Sequence, residues 1–139
     1  MDINQIALQR VPEFEETARR FREIHQRPMA TYIAGKFSGD VENNIKAAVE
    51  WGVWANSKGA FPVIPHANTS DPRFEKQQDY GFWITATSWL LMQCDSALFI
   101  PGWFNSKGAL KEYRLAERIL PKTLLFVVEM PPLLPPETD

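Results

Sequence analysis

Ser106, Gly108 and Glu112 follow one another closely, and their types suit an anion-binding loop that leads to a carboxylate. The apolar run at 96–101 is typical of a central strand, and apolar residues recur at helical spacing after Gly108. A helix N-terminus offers unpaired amide donors and a partial positive charge, so a phosphate would bind there and Glu112 would be held ionised. An anchored phosphate beside a charged carboxylate indicates nucleotide chemistry.

Strand and helix patterns alternate along the chain. Strands are predicted at 29–34, 60–65, 96–101 and 122–128, and helices follow at 41–57, 82–92 and 107–120. Helix 82–92 is apolar nearly all round and is expected to be well buried. This order predicts an α/β fold, a flavodoxin/Rossmann-like three-layer sandwich with a mainly parallel central sheet.

Three regions are predicted around this pattern: a helical arm at 1–28, the α/β domain at 29–129 and a proline-rich tail at 130–139. The arm holds a narrow amphipathic helix at 13–26, which we interpret as an addition to the fold. The polar connection at 66–80 is longer than usual and is expected to act as a lid. The tail is expected to be extended or to pack on a neighbouring subunit.

The amino-acid composition limits the kinds of partner that the chain is expected to bind. The chain has 139 residues, enough for a single core, and a formal net charge of -2 with scattered Lys and Arg. Such a surface argues against duplex nucleic acid and anionic membranes and favours a small ligand or a protein partner. Cys94 is the single cysteine and no apolar run would span a bilayer, so we expect a soluble, cytoplasmic protein.

Ligands of parallel sheets bind at the carboxyl ends of the strands. Segments 35–38, 66–68 and 102–108 each lie just past a predicted strand, so the three are expected to meet at one edge. His66, Asn68 and Trp103 are therefore expected to line the substrate.

Several motifs in and beside the predicted strands carry a family resemblance. They are Tyr32-Ile-Ala-Gly35, Pro65-His66-Ala-Asn68-Thr69, and Cys94-Asp95 leading to the segment from Gly102-Trp103 to Glu112. Over roughly residues 30–128 the chain resembles the nucleoside 2-deoxyribosyltransferase-like superfamily, and within it the branch called domain of unknown function 4406. The segment that ends at Glu112 is the specific part of the likeness.

The resemblance implies N-glycosidic bond chemistry on a nucleoside or nucleoside 5'-monophosphate, in a homo-oligomer that is a dimer or larger. It assigns Glu112 as the nucleophile, Tyr32 as the residue that orients it, and Ser106 and Gly108 as phosphate-binding residues. Gly35 would line the same site. No cofactor is expected, and no metal, since His66 has only His25 as a second histidine.

A general acid for the departing base is harder to assign. The family usually places an aspartate where this chain has Thr87, and a threonine hydroxyl does not serve as an acid near neutral pH. Asp71, Asp79 and His66 are candidates on or beside the 66–80 loop, and we prefer Asp79. Asp95 precedes its strand and is expected to have a structural role at the opposite edge.

Simpler roles also fit each residue. Ser106 and Gly108 could merely cap a helix, Tyr32 could be a core aromatic, and His66 is more typical of a loop anchor. Trp103 could stack on a base or pack internally. Two functions therefore remain: an N-glycosidase or deoxyribosyltransferase acting through Glu112, and, alternatively, a catalytically impaired nucleotide-binding module.

Overall fold

The computed structural model describes residues 2–137 and contains a four-stranded, all-parallel sheet in the order β2-β1-β3-β4. Met1, Thr138 and Asp139, at the ends of the predicted arm and tail, lie outside the described residues. The strands are β1 (Ala30–Ala34), β2 (Phe61–Val63), β3 (Ser96–Phe99) and β4 (Leu124–Val127). The helices are α1 (Ile3–Arg10), α2 (Phe14–His25), α3 (Val41–Ser57), α4 (Pro65–Asn68), α5 (Pro72–Glu75), α6 (Tyr80–Gln93) and α7 (Lys107–Arg118), with a 3₁₀ turn at Trp103–Asn105.

Helices cover both faces of the sheet, which confirms the predicted three-layer α/β fold. Successive residues of a strand point to opposite faces. Ile33 accordingly packs with α1, α2 and α3 in one core cluster, whereas Tyr32 and Ala34 pack with α6 and α7 in the other. The side chains of the neighbouring strand β3 are divided between the two clusters in the same way. The chain thus presents Tyr32 to the same side of the sheet as α7.

The N-terminal region is part of the first core cluster. The amphipathic helix predicted at 13–26 is confirmed as α2, and its Phe14 is fully buried against Trp54 at 5.0 Å between ring centroids. A further helix, α1, was missed. Its signal is a capping box, in which Asp2 accepts from the Gln5 amide and the Gln5 side chain bonds back to the Asp2 amide.

Helix α6 corrects one expectation. Leu91 is its single fully buried residue, while Trp89 is 58% exposed and Phe82 is 49% exposed. An apolar helix is buried only where neighbours cover it on all sides, and within this chain α6 packs against α7. The prediction that α6 is well buried is therefore wrong for the single chain, and a broad apolar face points away from the core.

Other differences are local. The second strand is shorter than predicted because Pro65 begins a helix, and the 66–80 connection contains the short helices α4 and α5. The tail runs along α7: Arg114 donates to the Pro135 carbonyl, and Arg118 Nη2 lies 2.8 Å from Glu137 Oε1. Within residues 2–137 no helix has both the length and the apolar character that crossing a bilayer requires.

Candidate functional site

The sheet has a topological switch between its two central strands. From β1 the chain crosses to β2 on one side, and β3 then returns to the other side of β1, where β4 continues. In parallel α/β sheets such a switch opens a crevice at the carboxyl ends of the two strands, where ligands bind. Here the loops that follow Ala34 and Phe99 flank that crevice, and α7 begins just beyond the second loop.

Tyr32 and Glu112 meet beneath this crevice. Tyr32 lies in β1 and is 1% exposed, Glu112 lies in α7 and is 6% exposed, and the Tyr32 hydroxyl donates a hydrogen bond to Glu112 Oε2. A buried carboxylate without a donor would be strongly destabilising. The structure thus brings these two predicted site residues into direct contact.

The expected ionisation of Glu112 needs correction. Burial raises the pKa of Glu112 to about 7, and the hydrogen bond from Tyr32 opposes that rise. A helix dipole acts within the first turn, whereas Glu112 is the sixth residue of α7 and lies in the core. Desolvation outweighs the dipole, so near neutral pH the carboxyl group is divided between its protonated and ionised forms.

Burial also raises the pKa of the Tyr32 phenol well above its usual range, and the charge of Glu112 adds to the rise. The nearby Thr87 side chain acts in the opposite direction. Tyr32 consequently remains a neutral donor at physiological pH. Thr87, which stands where the resemblance implies an aspartate, thus lies near Tyr32, and its hydroxyl donates to the Trp83 carbonyl oxygen of its own helix at 3.0 Å.

The start of α7 holds the predicted phosphate residues. Ser106 is the N-cap, and its Oγ accepts from the Ala109 amide at 3.2 Å. The amides of Lys107 and Gly108 lie ahead of any intrahelical acceptor, and across residues 2–137 neither has another partner. The capping role of Ser106 is thus observed, and two donors at the same helix end are left for an anion.

Gly108 lies one helical turn before Glu112 on the same face of α7. A Cβ built at Gly108 would lie 3.6 Å from Ile84 Cδ1 and 3.7 Å from the Tyr80 hydroxyl, both ordinary contact distances. The surface around Gly108, which we call the cradle (Ser106, Lys107, Gly108 and the Tyr80 hydroxyl), therefore has room for a methyl group before Ile84 and Tyr80 are reached.

Tyr80 is a neighbour of the site that sequence reasoning missed. Its hydroxyl borders Gly108, one helical turn before Glu112, and partial burial together with the charge of Glu112 raises the pKa of its phenol. Lys111 Nζ lies 5.4 Å from the centre of the Tyr80 ring and Lys107 Nζ lies 5.8 Å from it. The available signal was the position of Tyr80 at the start of an apolar helix just after the long polar connection.

Gly35 has a packing role in this structure. A Cβ at Gly35 would come within 2.6 Å of Ile100 Cγ1, so a glycine is required for the two central strands to continue side by side. Its place at the switch point is as predicted. Its missing side chain, however, makes room for Ile100 and does not itself face the cradle.

His66 connects two of the predicted loops. It is 6% exposed, and its Nε2 lies 3.0 Å from the Lys36 carbonyl oxygen, in the loop after β1. Burial lowers the pKa of His66, so the ring is neutral near pH 7. This contact is that of a loop anchor. Asn68 is exposed at the end of α4.

Trp103 is fully buried, and its Nε1 donates to the Glu129 carbonyl oxygen at 2.6 Å. The ring packs against Tyr113 at 4.6 Å between centroids. Of the two roles considered for Trp103, internal packing is the one observed, because a ring with no exposed surface does not line a pocket.

The acidic residues considered for proton transfer have other contacts. Asp79 is the N-cap of α6 and accepts from the Phe82 amide at 2.9 Å, and Asp71 pairs with Arg73 at 2.9 Å. Asp95 binds Arg27 and the Ala30 amide at the amino-terminal edge of the sheet, which confirms its structural role. Asp79 nonetheless directly precedes Tyr80, whose hydroxyl borders the cradle.

Comparison with known proteins gives one match. Residues 29–125 match the family described as "Domain of unknown function (DUF4406)". The matched segment begins just before β1 and ends within β4, so it covers the first three strands and the start of the fourth, together with Tyr32, the cradle and Glu112. No curated protein and no solved structure matches this chain.

Proposed function

The chain belongs to the family "Domain of unknown function (DUF4406)", and on that premise we propose that it cleaves the N-glycosidic bond of a nucleoside 5'-monophosphate, with hydrolysis or transfer of the deoxyribosyl group. Glu112 is the nucleophile, and the cradle binds the 5'-phosphate. Likeness of the motifs to the nucleoside 2-deoxyribosyltransferase-like superfamily motivates this choice of substrate.

The single observation that carries the proposal is the buried contact between Tyr32 and Glu112, one helical turn beyond the cradle. A structural glutamate is normally solvated or paired with a cation, because burial of a carboxylate is costly. Glu112 is buried with a neutral phenol as its donor. A strongly perturbed carboxyl group at a sheet crevice is typical of a catalytic residue.

The chemistry follows from this arrangement. Glu112 Oε1 attacks the anomeric carbon while Tyr32 holds Oε2, and the carbon–nitrogen bond breaks with its electron pair leaving on the base. The base takes up one proton as it departs. Water, or the nitrogen of a second base, then attacks the same carbon, releases the carboxylate of Glu112 and loses one proton.

Proton delivery to the base is the weak step. Thr87 does not donate a proton near neutral pH, and loss of general acid catalysis costs about two to four orders of magnitude in rate. Asp79, at the start of α6, is the residue we propose as the acid. The alternative function is a nucleotide-binding module of low or no activity, favoured by the position of Thr87 near Tyr32 and by the capping contact of Asp79.

Base release separates the two functions. The protein is incubated with deoxynucleoside 5'-monophosphates, free base is measured by chromatography, and binding is measured in parallel by calorimetry. Release that disappears in Glu112→Ala, but persists in Glu117→Ala, supports the enzyme; Glu117 is an exposed carboxylate on the same helix. Binding that depends on the cradle without release supports the module, and the absence of both rejects the proposal.

We also propose that the protein is a homo-oligomer that associates through α6. The exposed Phe82 and Trp89 lie two turns apart on one side of a helix that is rich in large apolar residues. Exposed apolar patches of this kind commonly mark interaction surfaces.

A further inference from the structure

A basic groove runs along the outer side of α7. It is a cavity of about 640 Å³, and the cationic side chains of Lys107, Lys111, Arg114 and Arg118 line it. These residues recur at spacings of three or four, so they share one face of the helix. With a rise of about 1.5 Å per residue, they spread positive charge over roughly 16 Å.

This concentration of charge contrasts with the chain as a whole, whose formal net charge is -2. Within residues 2–137, neither Lys107 nor Lys111 forms a salt bridge. The other wall of the groove is the tail, where Glu137 supplies a carboxylate. The groove therefore holds more positive than negative charge.

The tail already uses part of the groove as an anion site. Arg118 Nη2 donates to both carboxylate oxygens of Glu137, at 2.8 and 3.0 Å, and Arg114 donates to the Pro135 carbonyl. Arginine forks of this kind suit carboxylate and phosphate groups equally. The exposure of both Arg118 and Glu137 makes their ion pair weak and replaceable.

The groove is continuous with the cradle. Lys107 belongs to both, and the ammonium groups of Lys107 and Lys111 lie beside the Tyr80 ring, whose hydroxyl borders the cradle at Gly108. A phosphate bound at the cradle would thus have further cations directly beyond it. A nucleoside monophosphate has no second anionic group to meet them.

We propose that the basic groove binds a second phosphoryl group of the nucleotide, so the preferred ligand carries two phosphates, and that Glu137 of the tail competes for this place. The inference rests on the proposed binding of a nucleotide at the cradle. The second group is either the β-phosphate of a 5'-diphosphate or the 3'-phosphate of a 3',5'-bisphosphate; both present the same dianionic oxygens to lysine and arginine.

Calorimetric titration tests this in the full chain carrying Glu112→Gln, which blocks the proposed turnover. A nucleoside 5'-monophosphate, its 5'-diphosphate and its 3',5'-bisphosphate are compared at constant ionic strength, because charge interactions are screened by salt. We expect one of the doubly phosphorylated ligands to bind about tenfold more tightly than the monophosphate, the increment of a charge-assisted contact. Which of the two does so identifies the second phosphate.

Variants test whether the basic groove causes the tighter binding of the doubly phosphorylated ligand. Lys111→Gln should reduce the ratio of the affinity for the preferred doubly phosphorylated ligand to the affinity for the monophosphate towards one. Glu137→Gln should raise this ratio severalfold because it removes the competing carboxylate. Lys46→Gln is the charge-matched control, since Lys46 is exposed on α3 at the opposite face of the sheet. Equal affinity for all three ligands, or an advantage that survives Lys111→Gln, overturns the inference and leaves the proposed function intact.

The same titrations distinguish a failure of nucleotide binding at the cradle from a failure of the groove. If no monophosphate binds, the proposed function fails, and the groove is then titrated with inorganic pyrophosphate. Binding that Lys111→Gln weakens and Lys46→Gln leaves unchanged supports the groove as an independent diphosphate site. Absence of binding to pyrophosphate rejects the groove as well.

Discussion

Tyr32 and Glu112 are separated by 80 positions in the sequence, yet the hydroxyl of one donates directly to the carboxylate of the other inside the protein. The strand order brings them together, since β1 lies beside β3 and α7 folds back over both. The contact opposes the effect of burial, which raises the pKa of Glu112 to about 7. Any activity of Glu112 should therefore respond to pH in the neutral range.

Base release should increase as pH rises through about 7 and level off above it. Attack requires ionised Glu112, and a raised pKa leaves less of that form below pH 7. The rate constant under saturating nucleotide is measured from pH 5.5 to 8.5. A rate that is flat or falls over this range would contradict the assignment of Glu112 as nucleophile.

Tyr32→Phe provides the matched comparison. Removing the hydrogen bond eliminates the interaction that lowers the pKa of Glu112, so the midpoint of the profile should move upward and the rate at pH 7 should fall. Tyr113→Phe is the control, because Tyr113 packs in the same cluster but its hydroxyl contacts Glu117. Its midpoint should stay where it is in the unmodified protein.

Glu112→Gln should stabilise the protein at alkaline pH. A carboxyl whose folded pKa is raised from 4.5 to about 7 stabilises the fold below pH 4.5, and this contribution is lost as pH rises to about 7. The amide avoids that loss and still accepts from Tyr32. We expect a gain in the free energy of unfolding of up to about 3 kcal/mol at pH 8, and little change at pH 4.5.

Chemical denaturation at the two pH values measures this difference. Glu117→Gln, on the exposed side of the same helix, should show no such dependence. A loss of stability in Glu112→Gln at pH 8 would mean that the ionised carboxylate is favourable for the fold, contrary to the effect of its burial.

Sequence reasoning located the strands and the longer helices because their signals are local. The apolar run before Gly102 and the Ser106 cap specify β3 and α7 without reference to distant parts of the chain. The ionisation of Glu112 was mispredicted because it depends on desolvation by residues remote in sequence. Helix α6 was mispredicted for a related reason: periodicity shows that a helix is apolar, and not which neighbour covers it.

The exposed face of α6 should mediate self-association. Trp89→Ser replaces a large apolar side chain that is 58% exposed, so it should weaken the oligomer with little loss of stability in the single chain. Sedimentation velocity over a concentration series measures the effect. Ile24→Ser, on the more exposed Ile24 of α2, is the control and should not change the association. A protein that is monomeric at all concentrations would reject the proposed interface.

Gly108→Ala should affect folding and binding in opposite directions. Alanine is favoured over glycine in a helix by about 1 kcal/mol, and the added methyl meets its neighbours at 3.6 Å or more. The melting temperature should therefore rise. The same methyl would occupy the cradle, so affinity for a nucleoside 5'-monophosphate should fall at least tenfold.

Gly81→Ala separates helix propensity from the cradle. Gly81 is the second residue of α6, as Gly108 is of α7, and its added methyl would meet only Asp79 Oδ1, at 3.4 Å. We expect a similar change in melting temperature and unchanged nucleotide affinity. Equal affinities in the two variants would show that the phosphate does not bind at Gly108.

Thr87→Asp should place an acid at the position where the resemblance implies one. Thr87 lies near Tyr32, and an aspartate there would approach the buried Glu112, where desolvation and the neighbouring carboxylate both raise its pKa. A carboxyl group protonated near neutral pH is the state that donates to a departing base. We expect base release to increase by at least tenfold, part of the two to four orders of magnitude that general acid catalysis typically contributes.

Thr87→Asn distinguishes acidity from shape, because asparagine matches aspartate in size and has no proton to give. It should leave base release at the level of the unmodified protein, while Thr87→Asp exceeds it and adds a fall in rate at high pH as the new acid ionises. If both variants release base equally, proton transfer is not what limits the reaction. Asp79→Asn in the unmodified chain would then be expected to have no effect either, since an acid that limits nothing has no measurable role.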